Sequence, residues 1–214
     1  SDFPEKYRSA LYAFDWSYGR IFAVHLTPDG ASYTGQYETF VKGKPLNLTD
    51  LDFGKDGAMY FITGGRGTQS GLYRVSYEGK TPRVSRTREE LRARKEAVAA
   101  RKLRRELEKF HGRKDPKAID FAWPHLGSED RFIRFAARIA LEWQDLPLWK
   151  DRALNESQPQ AGLTALLALA RCGAKETQHD LLRALQKFPL DSLSLTQKLE
   201  KLRIVELSFI RQGK

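Results

Sequence analysis

The residues whose types could meet a small molecule gather at the ends of short β-rich runs in the first third of the chain. Asp15-Trp16 stands where one such run gives way to a connection. An indole there offers a flat apolar face on which a sugar ring can stack, and it serves equally as packing between neighbouring sheets. Asn47 and Asp50 lie in a second connection, Lys44-Pro45-Leu46-Asn47-Leu48-Thr49-Asp50, and Arg66 sits at the tip of a third, GGRGTQSG over residues 64–71. Asp15, Trp16, Asn47, Asp50 and Arg66 are therefore the substrate-facing candidates. No catalytic residue is assigned, because the chain shows neither an acid/base constellation nor a Cys-His pairing.

Other chemistries are weaker. The loop 64–71 lacks the Lys-Ser/Thr of a phosphate-binding loop and leads into a strand rather than a helix N-terminus, so its glycines read as turn residues that need positive φ. Asp50, Asp52, Gly54 and Asp56 alternate like a calcium loop, but Phe61 stands where an EF-hand needs its bidentate Glu. His25, His111, His125 and His179 have no metal-ligand spacing, and Cys172 closes a buried helix as a core thiol. No metal and no cofactor are expected to be held by this chain.

Charge is unevenly placed. Residues 1–82 hold 9 Lys+Arg and 9 Asp+Glu, residues 83–117 hold 14 and 6, and residues 118–214 hold 14 and 12. Most of the net +10 thus belongs to 83–117. That segment has no interleaved aromatics for base stacking, so a solvated helix is favoured over a nucleic-acid-binding one. With 41% hydrophobic residues the chain can bury a core, which excludes a disordered chain. No apolar run reaches the roughly 18 residues of a membrane span.

The elements that must position the candidates are strands. The run YRSALYAF, the run IFAVHL with period two, SYTGQYETFV, LTDLDF, MYFIT and GLYRVSY alternate with turns at Pro28-Asp29-Gly30 and at 54–57. One unit occurs twice, as ALYAFDWSYGRIFAV and AMYFITGGRGTQSGLYRV. Tyr12 matches Tyr60, Gly19 matches Gly71, and Ile21-Phe22-Ala23-Val24 matches Leu72-Tyr73-Arg74-Val75, at a 48-residue spacing from Tyr12 to Tyr60. That period fits a β-propeller blade. Two copies do not close a ring, so further blades are expected upstream.

Beyond Tyr77 the pattern is helical. Thr87-Arg88-Glu89-Glu90 reads as a capping box opening a long basic helix to about Phe110, with sparse apolar positions at Leu91, Val98, Leu103, Leu107 and Phe110. Ser128-Glu129-Asp130 caps a helix over 131–144, expected to bury Phe132, Phe135, Ala136, Ile139, Leu141 and Trp143. Residues 160–171 are almost wholly apolar and so central, and a last helix over 195–211 is expected to bury Leu199, Leu202, Val205, Phe209 and Ile210. Alternating short and longer helices with small residues predict a HEAT-like α-solenoid. The fold class expected is β and α in separate domains: a partial β-propeller of about two antiparallel blades over 1–80, a linker and long basic helix over 81–114, and HEAT-like repeats over 115–214.

The run DWSYGRIFAVHLTPDG, with DLDFGKDGAMYFITGGRGTQSGLYRVSY, resembles the membrane-bound dehydrogenase-like propeller proteins of planctomycetes and verrucomicrobia. More distantly, the unit resembles the soluble quinoprotein glucose/sorbosone dehydrogenase-like propellers. The resemblance covers residues 3–80 and, more loosely, the helices. It implies an exported, periplasmic or cell-envelope redox protein acting on a sugar or alcohol, with haem c in a further CxxCH domain. This piece would supply structural blades and an interaction solenoid and be inactive alone. The chain has no CxxCH, and residues 44–50 lack the paired arginines of the quinoprotein branch, which argues against pyrroloquinoline quinone. The alternative is a non-catalytic scaffold binding a glycan on the propeller edge and a protein on the helical repeats.

Overall fold

A computed structural model describes residues 2–65, 67–80 and 85–213. The described residues divide into two compact units, one of Ser1–Asp29 with Tyr33–Arg94 and one of Gly30–Ser32 with Lys95–Lys214.

The first unit holds the strands β1 (Leu11–Asp15), β2 (Arg20–Asp29), β3 (Ser32–Lys42), β4 (Leu48–Phe53), β5 (Met59–Gly65) and β6 (Thr68–Val75), preceded by a helical turn α1 (Glu5–Arg8). They form two three-stranded antiparallel sheets, ordered β1-β2-β3 and β4-β5-β6. The internal duplication is reproduced in the pairing. Leu11 faces Val24, Tyr12 faces Ala23, Ala13 faces Phe22 and Phe14 faces Ile21 in β1-β2. The matched positions Met59 and Val75, Tyr60 and Arg74, Phe61 and Tyr73, and Ile62 and Leu72 face each other in β5-β6.

Three local expectations change. Tyr7 and Arg8 belong to α1 rather than a strand, since Pro4 starts a turn whose N–H groups bond back to Pro4 and Glu5. β2 runs on through Pro28-Asp29, and the chain reverses at Gly30, whose φ is +51°. Thr68-Gln69-Ser70 is strand, not loop, with Gly65 paired to Thr68. β2 buries one face more deeply than the other. Ile21 and Ala23 are fully buried, but Leu26 on the other face is exposed.

Ile21, Leu46, Leu48 and Phe61 form the core of this unit, with Tyr12, Phe40 and Val75 packed against it. An aromatic cluster continues it: the Phe40 ring lies 5.1 Å from Tyr7 and 5.4 Å from Tyr12, and Phe61 stacks on Tyr73 at 4.9 Å. At its margin the Glu38 carboxylate accepts from Lys6 Nζ at 2.7 Å and His25 Nε2 at 2.8 Å. The Lys6 hydrogen bond first, then that of His25, holds the Glu38 carboxyl down at about 2. A depressed folded value means that this contact stabilises the fold above the ordinary carboxylate range and is lost as pH falls through about 2. In an NMR titration of the side-chain carboxyl, Glu38 is expected to stay ionised at pH 3. A midpoint near the ordinary ~4.3 would show that Lys6 and His25 do not hold it.

Still in the first unit, α2 (Arg88–Glu108) opens on the expected capping box: Thr87 Oγ1 accepts from Glu90 N–H at 3.1 Å and Glu90 Oε2 from Thr87 N–H at 2.8 Å. The helix passes from one unit into the other between Arg94 and Lys95, and Ala97 and Leu107 are its buried residues. There follow α3 (Lys117–Ala122), α4 (Arg131–Glu142), α5 (Lys150–Asn155), α6 (Pro159–Cys172), α7 (Gln178–Ala184) and α8 (Leu195–Gln212). α6 is the central element, buried almost continuously from Ala161 to Ala170 and packed on α4, α5, α7 and α8. Asp130 caps α4, its Oδ1 accepting from Phe132 and Ile133, while its Oδ2 accepts from Ala31 N–H at 2.5 Å. The Ala31 carbonyl accepts from Arg104 at 2.7 Å, so both polar groups of that buried residue are satisfied.

Two helices present a different face to the core than expected. α4 buries Ile133, Ala136, Ala137, Ala140 and Leu141, an i, i+3, i+4, i+7, i+8 stripe, and leaves Phe135 56% and Trp143 49% exposed. α8 buries Ile204, Leu207, Ser208 and Gln212, and leaves Leu199, Leu202, Phe209 and Ile210 exposed. In α4 the alanines at 136, 137 and 140 let α6 approach closely. No described helix is long and apolar enough to cross a membrane.

Candidate functional site

Two of the candidate residues meet. Trp16 lies in the turn between β1 and β2, and Asn47 immediately precedes β4. Asn47 Nδ2 donates to the Trp16 carbonyl at 3.1 Å, and the Asn47 carbonyl accepts from Gly64 N–H at 2.9 Å. The Trp16 indole Nε1–H in turn donates to the Gly64 carbonyl at 3.3 Å. These three residues close a ring that joins the two sheets. Trp16 and Gly64 are 48 positions apart, the spacing of the duplication, so the indole of one unit is seated on the equivalent position of the next.

The indole stands between two clefts of the first unit. One, of about 640 Å³ and widely open, is lined by Trp16, Thr49, Ile62, Thr63, Gly64, Gly65, Ser70, Gly71 and Leu72. Among the described lining residues the polar side chains are hydroxyls and the Trp16 indole, and none carries a charge. The other, of about 820 Å³, is lined by Trp16, Tyr18, Arg20, Lys42, Lys44 and Asn47 among others. Its shape follows from a glycine contact: Gly43 N–H donates to the Gly19 carbonyl at 3.0 Å, and a Cβ on Gly19 would come within 2.4 Å of the Gly43 oxygen. That approach sets Arg20, next to Gly19, beside Lys42 and Lys44, on either side of Gly43.

The remaining candidates lie elsewhere. Asp15 Oδ1 accepts from Tyr18 N–H at 3.0 Å and shapes the turn that carries Trp16, lining neither cleft. Asp50 is exposed on β4, its Oδ1 accepting from Leu51 N–H at 2.8 Å. Arg66 lies outside the described residues, as do linker residues 81–84. Asp52 turns to Phe53 N–H at 2.7 Å. Asp56 is engaged by Tyr60 at 2.7 Å and by Arg74 at 3.0 Å, and these hydrogen bonds, Tyr60 first, lower its carboxyl. The three aspartates therefore do not converge on a common point, and among the described residues no cluster of His, Cys, Asp or Glu could hold a metal ion.

Arg20, Lys42, Lys44 and Tyr18 were not singled out in the sequence. The signal was the placement of cations beside glycines at two turns, Gly19-Arg20 and Lys42-Gly43-Lys44. Cys172, expected in the core, is an exposed residue at the end of α6. Its sulfur nonetheless sits 3.6 Å from the Glu142 carbonyl, and partial enclosure pushes the thiol up to about 11.

Compared with protein-family models, curated proteins and solved structures, the chain matches none.

Proposed function

We propose that this chain is a binding module: propeller blades that take a saccharide against Trp16, followed by a HEAT-like helical scaffold that docks a protein. One observation carries the reading. The indole shares its two clefts with the hydroxyls of Thr49, Thr63 and Ser70 and with Asn47, while among the described residues no carboxylate or imidazole lines either cleft. An aromatic platform with neutral hydrogen-bonding groups suits ring stacking and hydroxyl recognition, and it lacks the acid and base that glycoside chemistry requires. The repeated pairing register of β1-β2 and β5-β6 supports the blade assignment. Short and longer helices packed around α6 support the solenoid.

Calorimetric titration of the full chain with neutral oligosaccharides is the test. Trp16→Ala is expected to weaken binding about tenfold or more, and Trp16→Phe to retain most of it. Binding unchanged in both variants would remove Trp16 from the site, and no binding by the wild-type chain would remove the reading.

A second reading rests on the run DWSYGRIFAVHLTPDG. Its resemblance to the dehydrogenase-like propellers favours an exported oxidoreductase whose electrons leave to a haem domain, this chain contributing blades and scaffold. Dye-linked oxidation of sugars by the full-length gene product tests it, and absence of both turnover and haem uptake would end it.

A further inference from the structure

We infer that the cleft formed by Arg20, Lys42 and Lys44 binds the carboxylate of an acidic saccharide whose neighbouring ring stacks on Trp16; this rests on the saccharide reading above. Among the described residues, those lining that cleft include these three cations and no acidic side chain. The surrounding segment is otherwise balanced, with 9 basic and 9 acidic residues over 1–82, so the concentration of one sign is local. Among the described residues no carboxylate pairs with Arg20, Lys42 or Lys44. Asp15 is the cross-strand partner of Arg20 in register, yet its Oδ1 is held by Tyr18 N–H at 3.0 Å.

Arg20 supplies the second observation. Its Nε is buried and has no hydrogen-bond partner, and its guanidinium lies 5.9 Å over the Tyr18 ring. An arginine charge with no carboxylate partner among the described residues favours an anionic ligand in the cleft. The planar guanidinium fork matches a planar carboxylate, and the two flexible lysines add charge without fixed geometry. Trp16 lines both this cleft and the uncharged one, so a chain of sugar rings can place its carboxylate among the cations and a neighbouring ring on the indole.

Titration of the full chain with an α-1,4-linked galacturonate tetrasaccharide and with its neutral galactose counterpart tests the inference. The uronate is expected to bind about tenfold tighter at low salt, with the preference shrinking as salt rises. Arg20→Met, which keeps the aliphatic stem, is expected to erase the preference for the uronate; Lys42→Met/Lys44→Met is expected to reduce it. Equal affinity for the two sugars, or a preference that survives Arg20→Met, overturns the inference while leaving the saccharide reading in place. Failure of both sugars to bind overturns both. A sulfated galactose tetrasaccharide or free benzene-1,3,5-tricarboxylate binding tighter than the uronate also overturns it, by assigning the cleft to sulfate or to an aromatic acid.

Discussion

Replacing Glu142 with alanine is expected to destabilise the helical unit by about 3–5 kcal/mol, the cost of leaving a buried charge without its partner. Glu142 sits at the end of α4 with its side chain 10% exposed, and Arg138, one turn earlier, is equally buried and bonded to the same Oε1. Arg171 at the end of α6 adds a second donor at 2.8 Å, so one carboxylate oxygen ties the two helices together. Arg171 is 40% exposed and can turn to water when the carboxylate is gone, whereas Arg138 cannot. The double variant Arg138→Met/Glu142→Leu removes both buried charges and is expected to recover most of the loss, since an apolar pair of similar volume avoids the desolvation penalty. Urea unfolding at neutral pH measures both. A loss of less than about 1 kcal/mol in Glu142→Ala, the scale of an exposed pair, would show that the charges are solvated.

The second large effect is expected at Gly19. Its φ is +62°, and a Cβ there would lie 2.4 Å from the Gly43 oxygen and 3.1 Å from Leu46 Cβ. Gly19→Ala therefore combines the left-handed backbone penalty of about 1–2 kcal/mol with overpacking of about 1–3 kcal/mol. Gly67 is the internal control. Its φ is +76° but nothing lies within 4 Å of its Cβ position, so Gly67→Ala is expected to cost the backbone penalty alone, about 1–2 kcal/mol. Equal losses in the two variants, by thermal or urea unfolding, would show that the Gly19–Gly43 approach is not a tight contact. Because that approach brings Arg20 to Lys42 and Lys44, Gly19→Ala is also expected to weaken anion binding in the cleft.

What was legible in the chain was whatever depends on near neighbours. The capping box at Thr87 and Glu90, the Asp130 cap and the β strands follow from local chemistry. The register of the two matched hairpins follows from the duplication, because the same residue types at the same spacing pair in the same way. The buried faces of α4 and α8 were misread because aromatic and leucine side chains were ranked above spacing. In α4 the alanines at 136, 137 and 140 face the core, since only small side chains permit the close approach of α6, and Phe135 and Trp143 are left outside. Trp16 and Asn47 were visible as types, but their meeting at Gly64 depends on two sheets coming together, which no local pattern encodes. The cationic cleft was invisible for the same reason: Arg20 and the two lysines are more than twenty positions apart and are joined by one glycine-to-glycine hydrogen bond.

The central claim is that the ligand surface is the one that Trp16 presents, and the four tryptophans allow it to be tested within one molecule. The indole N–H groups of Trp16, Trp123 and Trp149 are each held by a different acceptor, Gly64, Glu156 and Gln144, while Trp143 is half exposed on α4. Their resonances can be followed together in a nitrogen–proton correlation spectrum as the galacturonate tetrasaccharide is added. The account predicts that the Trp16 signal moves and saturates while those of Trp123, Trp143 and Trp149 stay in place. A saturating shift of Trp143 with Trp16 unmoved would contradict it.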